Sequence, residues 1–344
     1  MYSLSSKTKR LECRPKDCGP WQWDLEGVRK MDINLIHPDL RKSTTSMPKL
    51  PIQSGFGRAL TRLLLTALVP KVKIPAGVQI EQLTTSGGVK LRIYSPAKQK
   101  TAAALLYIHG GGMIIGSPKM DDARLASIAS ELGVVVVSPD YRLAPEHPYP
   151  APVDDCHAAW TWMLENSAPR GFDVNRIAIG GESAGGGLAA GLVLRLHDEA
   201  GVQPVAQWLF CPMLDDRTAQ DRSLDGVEHF IWNNSMNLVG WGSYLGANFG
   251  TEKVADYAAP ARRKDLSGLP KAWVGVGDVE LFFEEDRAYA ERLKAAGVDC
   301  ELDIVSGAPH AFEGLAPESQ LSKDYMSKAT SWLAEALGAS SKRG

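Results

Sequence analysis

A paired-cysteine framework is the first thing missing from this 344-residue sequence. Its five cysteines, Cys13, Cys18, Cys156, Cys211 and Cys300, are odd in number and contain no CxxC, which excludes a disulfide-stapled scaffold and reads as reduced thiols, most of them packing residues. An excess of one charge is missing too. Lys+Arg 38 against Asp+Glu 40 leave a formal net charge of -2, so no basic surface points to nucleic acid. The most apolar stretch near the front, 63–69, is closed by Pro70 and falls far short of the roughly 20 residues that cross a bilayer. No apolar core follows the early charges Lys7, Lys9 and Arg10, so no signal peptide is expected and a cytoplasmic, membrane-free protein is. Internal repeats, low-complexity tracts and a G-x-x-x-x-G-K-[ST] phosphate loop are absent as well.

What remains is 44% hydrophobic and 23% charged, enough apolar chain for a large core and too much for extensive disorder. Segments 80–84 and 89–94, split by Ser86-Gly87-Gly88, read as a hairpin. After it, short continuous apolar runs at 103–108, 134–138, 177–179, 208–210, 272–276 and 301–305 alternate with helical stretches at 121–132, 152–166, 184–197, 284–296 and 323–337. Apolar runs without alternation imply strands buried on both faces, and strand-helix alternation predicts an α/β fold with a mostly parallel sheet covered by helices. Two parts break the rhythm. Residues 1–74 show one helix, around 56–69, and no strand pattern, and 216–249 is an insertion carrying Phe230, Trp232, Trp241 and Tyr244. Both are expected to lie over the core, which then comprises 75–215 and 250–344.

Gly181-Glu182-Ser183-Ala184-Gly185 follows one of these strands and opens a helix rich in small residues. A nucleophile on a tight strand-to-helix turn needs small neighbours, because the backbone there is strained and closely packed. The motif alone is also compatible with an ordinary turn. His109-Gly110-Gly111-Gly112, leaving an earlier strand, adds glycine amides that can approach a developing oxyanion without an intervening Cβ; Gly111, Gly112 and Ala184 are the expected donors. His109 itself is expected to shape the loop. Of seven histidines, His310 alone follows the last core strand, giving the order nucleophile first, histidine last. The acid between them lies in Gly277-Asp278-Val279-Glu280, where spacing alone leaves both Asp278 and Glu280 open; Glu284, Glu285 and Asp286 read as first-turn acids of a helix.

Together with Asp140-Tyr141-Arg142-Leu143-Ala144-Pro145-Glu146, these motifs make the chain resemble the bacterial hormone-sensitive-lipase family of α/β-hydrolase esterases over about residues 75–340. The resemblance implies a serine carboxylesterase for small esters of short to medium acyl chain, acting through an acyl-enzyme without metal or organic cofactor, as a monomer or homodimer, with 1–74 and 216–249 forming a cap. It also assigns the acid to the position 30 residues before the histidine, which is Glu280 where the family usually has Asp. Arg142 then reads as structural, held by Asp154 or Asp155. Lactones, carbonates and activated amides suit the same residues. A non-catalytic binder on this scaffold, of the gibberellin-receptor kind, is the rival from another class, disfavoured because Ser183 and His310 are both present. Gly185-Gly186-Gly187-Leu188-Ala189-Ala190 formally fits a dinucleotide G-x-G-x-x-A, but it begins inside a helix and not in the preceding turn.

Overall fold

The strands form where β-branched and aromatic residues run together, and the break between them falls at glycine, proline or a helix cap. A computed structural model describes residues 29–48, 50–67 and 74–339. Eight strands make one sheet: β1 (Val78–Thr84), β2 (Lys90–Pro96), β3 (Ala104–Ile108), β4 (Val135–Asp140), β5 (Ile177–Glu182), β6 (Ala206–Phe210), β7 (Lys271–Gly277) and β8 (Cys300–Val305). Their order is β8-β7-β6-β5-β3-β4-β2-β1. β3 to β8 are parallel to one another, while β2 is antiparallel to both β1 and β4. Parallel strands end on one side, so residues far apart in sequence reach a common edge.

Helices α1 (Pro38–Ser46) and α2 (Gly55–Ala67) precede the sheet. Between and after the strands come α3 (Asp122–Leu132), α4 (Ala151–Glu165), α5 (Ala184–Glu199), α6 (Asn234–Leu245), α7 (Phe283–Ala295), the single turn α8 (Phe312–Leu315) and α9 (Gln320–Ala336). Alternate strand residues feed two cores. Leu106, Ile108, Ile179 and Val274 pack with α4, α5 and α7, while Tyr107, Trp208, Phe210 and Trp273 pack with α3 and α9. β3 and β6 are buried along their whole length, as continuous apolar runs require. β8 departs from that expectation: it is the sheet edge, Ile304 is 43% exposed, and Glu301 and Asp303 accept an ion pair from Lys328 of α9. Its charged residues are an edge signature that the apolar count concealed.

The expected hairpin, the core strands and the five core helices are present with ends shifted by a few residues. Missing from the sequence reading are α1, α6 and a two-residue parallel ladder in which Arg29 and Lys30 pair with Val227 and Glu228. This ladder joins the N-terminal segment to the insertion at 216–249. Residues 1–28 and 68–73, part of the expected N-terminal layer and including Cys13 and Cys18, lie outside the described residues. Cys156, Cys211 and Cys300 are unpaired and buried. No helix among the described residues is long and apolar enough to cross a membrane.

Candidate active site

Ser183 stands between the end of β5 and the first turn of α5, with φ 56 and ψ -122, a region an L-residue enters only when its surroundings force it. The forcing is visible in three backbone bonds: the Ser183 amide donates to Phe210 O at 2.8 Å, and Ser183 O accepts from Met213 N at 2.9 Å and Gly187 N at 3.0 Å. Small neighbours are obligatory. A Cβ at Gly181 would sit 2.3 Å from Gly185 O, and one at Gly185 would sit 2.0 Å from Ile108 O. The strand-to-helix turn expected from the motif is therefore present, and its glycines let β3, β5 and α5 meet backbone to backbone.

His310 leaves the loop after β8 and is 4% exposed. Its Nε2 lies 2.9 Å from Ser183 Oγ and its Nδ1 lies 2.6 Å from Glu280 Oε2. With the ring proton on Nδ1, the imidazole donates to Glu280 and Nε2 is free to accept from the serine hydroxyl. Burial alone lowers the imidazole pKa, but the Glu280 charge and hydrogen bond outweigh it and leave His310 above its ordinary value. The Phe282 ring meets the imidazole edge to face at 5.2 Å and fixes its plane. Asp278, the other carboxylate left open by spacing, is used elsewhere: its Oδ1 accepts from the Gly307 amide at 2.6 Å and braces the loop that carries His310.

The loop after β3 runs under this group. Gly111 has φ 118 and Gly112 φ 60, and a Cβ at Gly112 would lie 2.2 Å from the Trp232 ring. Among the described residues, no backbone carbonyl accepts from the amides of Gly111, Gly112 or Ala184. His109 faces away from any chemistry: it is buried, stacked on Tyr141 at 4.2 Å, and its Nδ1 lies 2.8 Å from Gly110 O, while burial pushes its pKa down to about 4. That neutral ring wedges the loop, as expected. Arg142 is likewise structural, paired with Asp155 at 2.7 Å.

Four features of the site have no signal in the local motifs. Glu182, next to the serine, is held by Arg124, which also lies 3.6 Å from Glu313. Burial and the Glu182 charge push Glu313 up to about 8. Glu285, expected only as a first-turn acid, also accepts from the Leu214 and Asp215 amides and from Thr218 Oγ1, so it ties α7 to the start of the insertion. Cys211, after β6, brings its thiol within 4.8 Å of Glu280 and His310. Arg62 of α2 donates to Ile114 O and Ala144 O, each at 2.7 Å, and to the Glu146 carboxylate. A lone arginine in an N-terminal helix announces none of these contacts.

A family model described as alpha/beta hydrolase fold matches residues 105–314. Carboxylesterase NlhH of Mycobacterium tuberculosis is 32% identical over 82% of this chain and 90% of its own length. The solved structure of a bacterial heroin esterase superposes with a TM-score of 0.82 at 33% identity, covering 89% of this chain and 99% of that one. An esterase described as a member of the bacterial hormone-sensitive lipase family gives a TM-score of 0.71 at 30% identity, covering 88% and 99%. The chain belongs to the hormone-sensitive-lipase-like α/β hydrolases. As a member of that family it is a carboxylic ester hydrolase, and the solved esterases it matches share its fold.

Proposed function

We propose that this hydrolase cleaves small carboxylic esters of short to medium acyl chain by two-step acyl transfer at Ser183. His310 Nε2 takes the hydroxyl proton as Oγ attacks the carbonyl, and Glu280 holds the imidazolium that results. The amides of Gly111, Gly112 and Ala184 receive the oxyanion, the last at the N-terminus of α5 where the helix dipole adds to the hydrogen bond. His310 then gives the proton to the leaving alkoxide, and a water, deprotonated by the same nitrogen, releases the acid. The observation that carries the reading is the relay Ser183 Oγ to His310 Nε2 at 2.9 Å and His310 Nδ1 to Glu280 Oε2 at 2.6 Å, nearly sealed from solvent.

We assign Trp232, whose ring abuts Gly112 and leaves no room for a side chain there, to the wall of the acyl site. In this reading the N-terminal helices and 216–249 act as a cap. α2 is fastened through Arg62 to the loops after β3 and β4, and the His37 amide donates to Gly307 O at 2.8 Å, so the same segment reaches the histidine loop. Trp241 is fully buried beside Tyr244 and fastens the insertion, while Trp232 touches the loop after β3. The test is the hydrolysis rate on p-nitrophenyl esters from acetate to palmitate, beside Ser183→Ala. The rate should peak at short or medium chains and fall in the variant by about 10⁴-fold or more. A variant that keeps wild-type rates ends the reading.

A further inference from the structure

The thiol of Cys211 is buried behind the catalytic pair, and no step of ester hydrolysis uses it. Its sulfur, a Glu280 carboxylate oxygen and a His310 ring nitrogen all lie within 4.8 Å of one another, and all three residues are buried. A second observation points to a ligand: Glu280 Oε1 has no hydrogen-bond partner, although the Glu280 side chain is 0% exposed. An orphaned carboxylate oxygen in a closed site is expensive unless something positive meets it. Acidic side chains crowd the thiol. Beyond Glu280, the carboxylates of Glu313, Glu182 and Asp286 all raise the cost of ionising the thiol, and both Asp286 oxygens are themselves unpartnered. Sulfur, imidazole nitrogen and carboxylate oxygen together form the donor set of a borderline-soft divalent ion.

We propose that Cys211, Glu280 and His310 form an inhibitory binding site for Zn²⁺ or a similar thiophilic divalent cation. Zinc bonds of about 2.0–2.3 Å bring ligand atoms to within about 4 Å of each other, so the three donors close on the ion with shifts of about an ångström. Nδ1 is the histidine ligand, because it faces Glu280. The step balances as follows: the thiol S–H bond breaks and a Zn–S bond forms, releasing one proton to solvent, while the Nδ1 proton moves to Nε2 as the ion takes its place. Nε2–H then points at Ser183 Oγ and has no lone pair to accept the serine proton. The ion therefore stops catalysis by fixing the wrong tautomer, leaving the acyl site open.

The effect on turnover rests on the triad reading, so the test also has a readout that does not. Chelator-treated full-length protein is titrated with CoCl₂, and the near-ultraviolet thiolate-to-cobalt absorption is followed beside ZnCl₂ inhibition of ester hydrolysis, with MgCl₂ as the hard-ion control. One equivalent of cobalt should produce the band, Zn²⁺ should inhibit reversibly by chelator, and MgCl₂ should do neither. In Cys211→Ala the band should vanish and half-inhibition should need at least tenfold more Zn²⁺. Cys211→Ser, a one-atom change, gives the same cobalt test if the alanine variant does not fold. Cys13→Ser with Cys18→Ser should keep both effects. No band in the wild type, a band surviving in either Cys211 variant, or its loss in the Cys13/Cys18 variant overturns the proposal. A band without inhibition keeps the ligand set and overturns the tautomer mechanism.

Discussion

At the scale of single residues, the site divides into groups that do chemistry and groups that hold them. Glu280→Gln keeps the size but removes the charge facing His310 Nδ1, so kcat should fall by about 10²–10⁴-fold. Asp278→Asn removes only the charge from the brace on Gly307, from whose amide an asparagine oxygen still accepts, and should cost about tenfold or less; a steady-state comparison of the two separates acid from brace. The pH profile gives a second check. The proposed mechanism needs neutral His310, and Glu280 holds its pKa above the ordinary histidine value of about 6.5, so the acid limb of kcat/KM should lie above that value in the wild type and move down in Glu280→Gln. Glu313 works in the opposite sense on stability. Its folded pKa of about 8 exceeds the unfolded value, so the native state keeps a proton that the unfolded chain loses, and the wild type loses stability as pH rises from about 4.5 toward 8. Melting curves of Glu313→Gln should show a gain over wild type that grows across that window.

The residues to which the proposed function gives the chemistry are legible because each has a local signature: glycines around Ser183, consecutive glycines at 110–112, and a histidine after the last strand. Glu280 was legible only as one of two carboxylates, since spacing along the chain does not say which oxygen turns toward a ring. The structure separates them by what each touches. Cys211 and Arg124 were not legible at all, because their neighbours come from other strand ends and other helices. Glu285 shows the same limit: a first-turn acid was expected, yet its partners belong to the chain between 214 and 218.

Among the elements, the junction of β5 with α5 is the least tolerant. Gly185→Ala would drive a methyl into Ile108 O and should cost about 3 kcal/mol, the upper range of overpacking, read as a fall in Tm with loss of soluble yield. Gly112→Ala tests the other wall. Its Cβ meets the Trp232 ring, and its φ of 60 is already unfavourable to alanine, so the loop after β3 or the insertion must shift and kcat should drop by about 10²-fold or more with the oxyanion amides displaced. The element ends were readable from Gly and Pro punctuation, while α6 was hidden: its start depends on the Asn233 side chain accepting from Met236 N, inside a stretch whose aromatics obscure any helical period.

For the molecule as a whole, the parallel sheet does the assembling and the flanking pieces are fastened to it. The insertion is fastened at its base by Arg262, whose guanidinium grips the fully buried Asp216 with two bonds, of 2.6 and 3.0 Å. Removing one partner strands a buried charge, so Arg262→Ala should cost about 3–5 kcal/mol, and hydrogen exchange should locate the loosening between 216 and 250. The overall architecture was readable from strand-helix alternation; the ladder of Arg29–Lys30 with Val227–Glu228 was not, because two residues carry no pattern.

Trp232 draws these scales together. The ring that walls Gly112 belongs to a segment joined to the sheet at its base, whereas Ser183, Glu280 and His310 follow β5, β7 and β8. Selection can therefore vary the fit of a substrate and the speed of its turnover as separate traits. Under the proposed reading, exchanging 216–249 among relatives would redraw the guest, provided the new segment keeps a ring against Gly112.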